Sequence, residues 1–455
     1  MSAQHKADRF LELRGPLTFL AFSESIRPGS TFGPADTGHV AYDLEGDLDL
    51  EALALALTDL GNCQQILWTR LFKNEDGLPR LAVETPGAIP LTIYCDDSAG
   101  SNTTPLPDHI LLVDASEAPL IRAIVHRRTN RLHRLILVVH HLAADAWSIG
   151  LYARTLAGLY ARRKGLEPEA PIFDARDGYF DLVEEARLSD RNLNRASTFW
   201  REYLSNIPMM KYPTDSKRND ALDHRVGNVS QDMDESMHSL VRDSSRRYKV
   251  TPFMLLLAAL VLVVSKATGE LDVVIPTLWS GREDKTIRHI GGPTVNALII
   301  RIRIQIESTI GEYVDAVRTS VLKTYWHAWT PIDKVAEQTP RVADFLSDPE
   351  YIRLLFQFLP HLSEPMAFPG LITTRVQNPD EITDSRVNED PLAQDLLFSI
   401  LENQERLCVD VSFNENLFTP ATIRGLASDY EESLKGLCES SQTLVGSLLG
   451  REKRG

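Results

Sequence analysis

Apolar and polar positions alternate along this chain with two different periods, and the switches between them mark its elements. From Thr37, the stretch TGHVAYDLEGDLDLEALALALTDL predicts a strand, a turn at Gly46, and a helix that carries Leu50, Leu53, Leu57 and Leu60 at helical spacing. The segment ILLVDASEAPLIRAIVHRRTNRLHRLILVVHH predicts two β stretches divided by a polar turn around Arg128 to Asn130. Its closing apolar run, Leu135 to Val139, has the continuous character of a strand buried on both faces. Directly after it, AWSIGLYARTLAGLYARR sets Ile149, Tyr152, Leu156 and Leu159 on one helical stripe, with Asp145 at the start as a cap for free backbone N–H groups.

Residues 165–178, GLEPEAPIFDARDG, break the pattern and are expected to link two lobes, with domains at 1–172 and 173–455. Beyond them the pattern predicts helices in ASTFWREYLSNI, TPFMLLLAALVLVVSKA, GEYVDAVRTSVLKTYWHAW and ATIRGLASDYEESLKGL. Strands are expected in LDVVIPTLW, NALIIRIRIQI, RLLFQFL, LLFSILE and LCVDVSF, and the polar stretch from Gln377 to Asp395 reads as a long excursion. The alternation of strands and helices agrees with an α/β fold.

Composition narrows the class. The chain has 455 residues, is 43% hydrophobic and carries a formal net charge of -15, which fits a large globular body and disfavours nucleic acid and anionic lipid as partners. Cys63, Cys95, Cys408 and Cys438 are scattered without CxxC spacing, so they read as reduced and cytoplasmic rather than as a zinc site or disulfide framework. The longest apolar run, Phe253 to Val264, is twelve residues long. A membrane span needs about 20. That run is therefore expected to be a core helix, and no nucleotide-binding glycine motif is present.

The candidate chemistry lies in LILVVHHLAADAWS. Side chains alternate along a strand, so His140 and His141 point in opposite directions and only one serves a site. A neutral imidazole is a natural proton acceptor near pH 7, and Asp145 can orient the loop or hold a cation. The same spacing also suits a satisfied buried histidine pair with Asp145 as a cap, and both readings stay open on spacing alone. Metal binding fits less well, because the adjacent histidines diverge and one aspartate adds only a third ligand.

HHLAADAWS resembles the HHxxxDG motif of the condensation domains of nonribosomal peptide synthetases. EAPLIRA, FWREYLSNIP with the later YPTD, VVIPTLWSGR, GGPTVNALIIR and PIDKV resemble further family blocks in the family's order, over about Val40 to Leu437. The resemblance implies a two-lobed, V-shaped chloramphenicol acetyltransferase-like fold with an active-site tunnel between the lobes. It implies that His141 is catalytic, and that His140, Asp145, Ala146, Trp147, Ser148 and Arg282 support the site, with Asp145 paired to Arg282. Asn296 and Gln357 would line the tunnel, and no metal is implied.

The chain departs from the family pattern in four places: Ala146 replaces the motif glycine, Gln357 stands where many members have Asn, TFLAFSES stands where typical members carry a SxAQ-type block, and CQQILWTRL replaces a more basic RHExLRT-like stretch. The activity implied is transfer of an acyl or aminoacyl group from a carrier-protein phosphopantetheine thioester to an amine or hydroxyl, in the biosynthesis of secondary metabolites such as antibiotics. The protein itself would bind no cofactor. Its partners would be a peptidyl or acyl carrier protein and a carrier-bound or free small-molecule acceptor, and the family favours a monomer. With no carrier or adenylation motif in the chain, a stand-alone enzyme is expected. The alternatives are an acyl-coenzyme A dependent HxxxD acyltransferase and a non-catalytic carrier-recruiting module of the same fold. Trp326 and Trp329, around His327, are expected in the core or tunnel wall.

Overall fold

The structure is a computed structural model that describes all residues except 1–8, 14–16, 27–30, 35, 96–105, 176–177, 186–189, 209–210, 219–225, 348–350, 361–366, 377–393, 404–405, 440 and 452–455. Along the chain the strands are β1 (Arg9–Glu12), β2 (Thr37–Glu45), β3 (Thr69–Lys73), β4 (Pro79–Val83), β5 (Leu91–Cys95), β6 (Ile121–Arg127), β7 (Leu132–His140), β8 (Val226–Asp232), β9 (Asp272–Trp279), β10 (Asn296–Arg303), β11 (Leu354–Leu359), β12 (Ile372–Arg375), β13 (Leu396–Asn403) and β14 (Arg406–Asn414). The helices are α1 (Leu17–Ile26), α2 (Leu50–Cys63), α3 (Ala146–Arg163), α4 (Gly178–Glu185), α5 (Asp190–Tyr203), α6 (Met237–Tyr248), α7 (Pro252–Thr268), α8 (Ile310–Tyr325), α9 (Ile332–Gln338), α10 (Pro340–Ser347), α11 (Pro420–Glu439) and α12 (Val445–Leu448).

The chain divides into two units, and neither is one continuous stretch. Unit 1 comprises Met1–Arg187, Ser280–Val295 and Glu364–Leu392; unit 2 comprises Leu188–Trp279, Asn296–Ser363 and Ala393–Gly455. A cut at 172/173 with an unbroken second lobe therefore does not describe the molecule. The physical reason lies in pairing at long range. Strand β12 adds to β2 with Ile372 opposite Glu45 and Arg375 opposite Tyr42, so a segment of the second half completes the first sheet.

Unit 1 is built on a five-stranded sheet in the order β12-β2-β7-β6-β5, antiparallel except for β5 against β6, with a small sheet β1-β4-β3 beside it. All of β7 from His133 to His140 is buried, as its unbroken apolar run predicts for a strand covered on both faces. Helix α3 starts where Asp145, in extended conformation, accepts from the Ser148 N–H at 2.8 Å, and Leu151, Tyr152, Leu156 and Leu159 are buried along it. Cap and apolar stripe together settle where β7 ends and what its end faces.

Unit 2 has a six-stranded sheet in the order β10-β9-β11-β13-β14-β8. Its core helix α7 begins at a Thr251 cap with Pro252 next, and ends at Gly269 with φ 82°. Among the described residues no single helix is long and apolar enough to cross a membrane. Trp326 departs from the sequence expectation. It is 86% exposed, because α8 ends there and its buried stripe, Tyr313, Val317 and Val321, lies on another face. Trp329 is 37% exposed and meets Trp279 edge-on at 4.5 Å, while His327 stacks on Phe199 at 4.1 Å. The polar excursion expected from Gln377 lies outside the described residues as far as residue 393. Asp395, at its end, is fully buried and held by Arg218 and Arg353.

Candidate functional site

The end of β7 hands its two histidines opposite chemistry. Leu142 N–H donates to His140 Nδ1 at 3.0 Å, so the proton of that ring sits on Nε2 and donates to the Gly33 carbonyl at 3.1 Å. Both nitrogens of His140 are spent, and the side chain is fully buried. Burial, with the neighbouring His141 ring, pushes the His140 pKa down to about 4, so it is neutral at physiological pH.

His141 carries the other tautomer. Its Nδ1–H donates to the Ala144 carbonyl at 3.2 Å, which leaves the Nε2 lone pair without a hydrogen-bond partner among the described residues. The ring is only partly covered, and burial lowers its pKa against the opposing pull of Ala144 and Asp145. The result is a neutral imidazole, fixed in orientation, with one basic nitrogen available. Its backbone N–H donates to the Asp36 carbonyl at 2.9 Å, and β2 passes beside the ring at Gly38. A Cβ at Gly38 would stand 2.5 Å from Ile149 Cδ1 and 3.4 Å from His141 Cε1, so the absence of a side chain makes room for the imidazole.

Asp145 is the hub of a buried polar network. Its Oδ1 accepts from Ser148 N at 2.8 Å, from Ser148 Oγ at 2.6 Å and from Arg282 Nη2 at 3.1 Å; Oδ2 accepts from Arg282 Nη2 at 3.1 Å and from Thr294 N and Oγ1 at 3.2 Å. Burial alone would raise this carboxyl, but the Arg282 guanidinium and the Ser148 and Thr294 donors outweigh it and hold the group below the usual range. Asp145 is therefore an anion already satisfied by its neighbours. That makes it a holder of shape rather than a proton carrier.

Arg282 extends the network along its own loop. Nη1 donates to the Ile287 and Ile290 carbonyls at 3.0 and 2.8 Å, and Nη2 also reaches the Gly292 carbonyl at 2.8 Å. Ser148 Oγ accepts from Gly292 N at 3.1 Å, Gln64 Oε1 accepts from Gly291 N at 3.1 Å, and Tyr179 donates to the Pro293 carbonyl at 2.8 Å. The two glycines are required by contact: a Cβ would lie 2.3 Å from Tyr152 Cε1 at Gly291, and 2.3 Å from Tyr179 Cδ2 at Gly292, whose φ is 120°. Residues 280–295 are thus pinned across the start of α3.

The remaining expected residues fall in different places. Ala146 is the exposed first residue of α3 and does not sit at positive φ, so alanine in place of glycine meets no backbone strain. Trp147 is 41% exposed, donates to the Arg288 carbonyl at 3.1 Å and lies under Arg154. Asn296 and Gln357 belong to unit 2. The Asn296 amide donates to the Ala328 and Thr330 carbonyls, both at 2.7 Å, and Gln357 donates to Ser399 Oγ at 2.8 Å. Gly33, Asp36, Gly38, Gln64 and Thr294 were not singled out from the sequence. Only GGPT at 291–294 carries a local signal of close approach.

Among the described residues no group of three or more His, Cys, Asp or Glu side chains is placed to hold a metal ion. The arrangement can accept a proton at one fixed imidazole nitrogen.

The Condensation domain family model matches residues 38–451. Malpinin synthetase of Mortierella alpina is 27% identical over 403 residues, which cover 86% of this chain but only 5% of that far longer protein. In solved structures, the SgcC5 protein of Streptomyces globisporus matches with a TM-score of 0.78 at 23% identity, covering 93% of this chain and 98% of that one. The X-domain from teicoplanin biosynthesis matches with a TM-score of 0.76 at 22% identity, covering 98% and 99%, and a further structure of that domain is its complex with OxyB.

Proposed function

Because the chain belongs to the condensation-domain family, we propose that it transfers an acyl or aminoacyl group from a carrier-protein phosphopantetheine thioester to an amine or hydroxyl acceptor, with His141 Nε2 as the proton acceptor. The observation that carries this reading is the division of tautomers: His140 has both ring nitrogens engaged, whereas among the described residues nothing bonds to the second, basic nitrogen of His141.

The acceptor donates its N–H or O–H to that nitrogen while its lone pair attacks the thioester carbonyl carbon. A C–N or C–O bond forms, the C–S bond breaks, and the proton passes from His141 to the departing phosphopantetheine thiolate. A thioester is already activated, so holding the reactants together contributes much of the acceleration, on the order of 7–11 kcal/mol at best for well-oriented groups. The Asp145–Arg282 network keeps the start of α3, and with it the Ala144 carbonyl that orients His141, in place. Its role is positioning.

A second reading is a module of this fold that binds partners without turnover; the X-domain, found in complex with OxyB, is the observation in its favour. The test offers purified protein acyl-carrier and acyl-coenzyme A donors with a panel of amines and alcohols, and follows product mass for native protein and His141→Ala. Carrier-dependent product that falls at least a hundredfold in the variant is expected. Turnover of acyl-coenzyme A alone would replace the carrier with coenzyme A, and an unimpaired His141→Ala would remove the base. Carrier binding without product would select the second reading.

A further inference from the structure

Gln64 follows the last turn of α2, and its polar side chain is buried, with 1% exposure. Its amide lies between two backbone groups that come from distant parts of unit 1. Oε1 accepts from Gly291 N at 3.1 Å, in the loop 280–295, and Nε2 donates to the Phe173 carbonyl at 2.9 Å, in the stretch 165–178. A backbone N–H only donates and a backbone carbonyl only accepts, so residue 64 has to offer an acceptor and a donor at once. Glutamine does so with a neutral group, and its amide has a single satisfactory orientation.

The Phe173 end is anchored independently. Ala175 N donates to the Cys63 carbonyl at 2.9 Å, and the Phe173 ring stacks on His289 at 5.0 Å. A Cβ at Gly158 of α3 would stand 2.8 Å from both the Ala170 carbonyl oxygen and Ile172 Cγ1. Residues 165–178 are thus a strap held against α2, α3 and the loop, and Gln64 is the side chain that hydrogen-bonds to strap and loop together.

The Gly291 end leads to the base. A Cβ there would lie 2.4 Å from the Tyr152 hydroxyl and 2.7 Å from Gln64 Oε1. That hydroxyl donates to the Ala143 carbonyl at 2.7 Å, and the next carbonyl, that of Ala144, accepts from His141 Nδ1 at 3.2 Å. One residue further along the loop, Gly292 N donates to Ser148 Oγ at 3.1 Å, which donates to Asp145 at 2.6 Å. Two short paths of contacts therefore run from Gln64 to the turn that carries His141, one through Tyr152 and one through Ser148 and Asp145. Without the amide, the buried Gly291 N–H and the Phe173 carbonyl lose their shared partner, and the loop has to shift to satisfy them.

We propose that Gln64 is a positioning residue for His141: its amide sets the loop against Tyr152, and so holds the turn whose Ala144 carbonyl orients the imidazole. This rests on the reading of His141 as the proton acceptor, and the test reads the ring directly. In the full chain labelled with nitrogen-15 at histidine, NMR reports the tautomer of each ring, and His141 is assigned by its loss in His141→Ala. Native protein should show His141 protonated at Nδ1. Gln64→Met should turn His141 into a mixture of tautomers and leave His140, whose partners are Leu142 N–H and the Gly33 carbonyl, protonated at Nε2. Gln64→Glu offers Gly291 an acceptor in either protonation state and should keep the native tautomer. In the transfer assay, kcat of Gln64→Met should fall about tenfold or more, with KM for donor and acceptor unchanged.

An unmixed His141 or an unchanged kcat in folded Gln64→Met overturns the proposal. So does a Gln64→Glu protein as impaired as the methionine variant, or an equal change at His140, which would mark general loosening. If Gln64→Met does not fold, Tyr152→Phe removes only the hydroxyl that holds Ala143, and a native His141 tautomer in that variant overturns the proposal. Tautomers are read without substrate. A chain that shows the expected mixing but no transfer loses the proposed reaction and keeps the positioning, whereas transfer by a chain whose tautomers do not move loses the positioning alone.

Discussion

Replacing Arg282 with leucine should destabilise unit 1 by about 3–5 kcal/mol, the cost of breaking a buried ion pair from one side. Both partners are shielded: the Arg282 side chain is 3% exposed and that of Asp145 is 7% exposed, at 3.1 Å. The variant strands the Asp145 carboxylate with only the Ser148 and Thr294 donors, and takes a donor from the Ile287, Ile290 and Gly292 carbonyls. Against a total stability on the order of 5–15 kcal/mol this is a large fraction. Urea unfolding read by both circular dichroism and tryptophan fluorescence measures it. A cycle with Asp145→Asn separates the pair from the loop: the double variant should recover at least about 1 kcal/mol over the sum of the singles. Because the pair is buried, raising the salt to about 0.5 M should leave the coupling nearly unchanged. A loss below about 1 kcal/mol for Arg282→Leu, or a coupling that disappears in salt, would refute the claim that this pair pins residues 280–295.

Four further outcomes follow. His141 is neutral down to below the ordinary histidine value of about 6.5, so the transfer rate should be flat through neutrality and fall only as pH drops beneath that value; an acid limb centred above pH 7 contradicts this base. For His140 the folded pKa is about 4. The unfolded ring, near 6.5, binds its proton first on acidification, so this stability is full above pH 6.5 and lost towards pH 4, by about 3 kcal/mol. A His140→Asn protein should show that much less pH dependence in its unfolding free energy between the two limits. Ala146→Gly should change stability by less than about 1 kcal/mol and leave turnover the same, whereas a tenfold gain would mean that the backbone needs a conformation alanine denies. Gly291→Ala drives a Cβ to 2.3 Å from Tyr152 and should lower the unfolding free energy by at least about 2 kcal/mol; a silent substitution would place the loop elsewhere.

What could be read in the sequence was local. The Asp145 cap, the stripe of α3, the doubly buried β7 and the core character of α7 each follow from spacing within one segment, and the structure has them at those residues. The resemblance marked Arg282 as the partner of Asp145, and the two are joined. Long-range pairing could not be read. Nothing in ITTR announces that it joins β2, more than 300 residues earlier in the chain. The tautomers of His140 and His141 depend on the Gly33 and Ala144 carbonyls, whose positions no residue pattern encodes. Trp326 misled for a related reason: an aromatic residue is usually covered, but α8 ends before its buried stripe reaches it.

The two returns of the chain to unit 1, at Ser280–Val295 and around β12, bear on how the molecule is made. A ribosome that has released the first 187 residues has released an unfinished body: its edge strand β12 and the loop that carries the counter-ion of Asp145 are still to come. The Asp145 charge must wait for its counter-ion until the stretch Leu188–Trp279 of unit 2 has been made, and the β2 edge must wait longer, until most of unit 2 has been synthesised. Fragments cut between the units should consequently behave as halves of a handshake, recovered together by co-expression and insoluble apart.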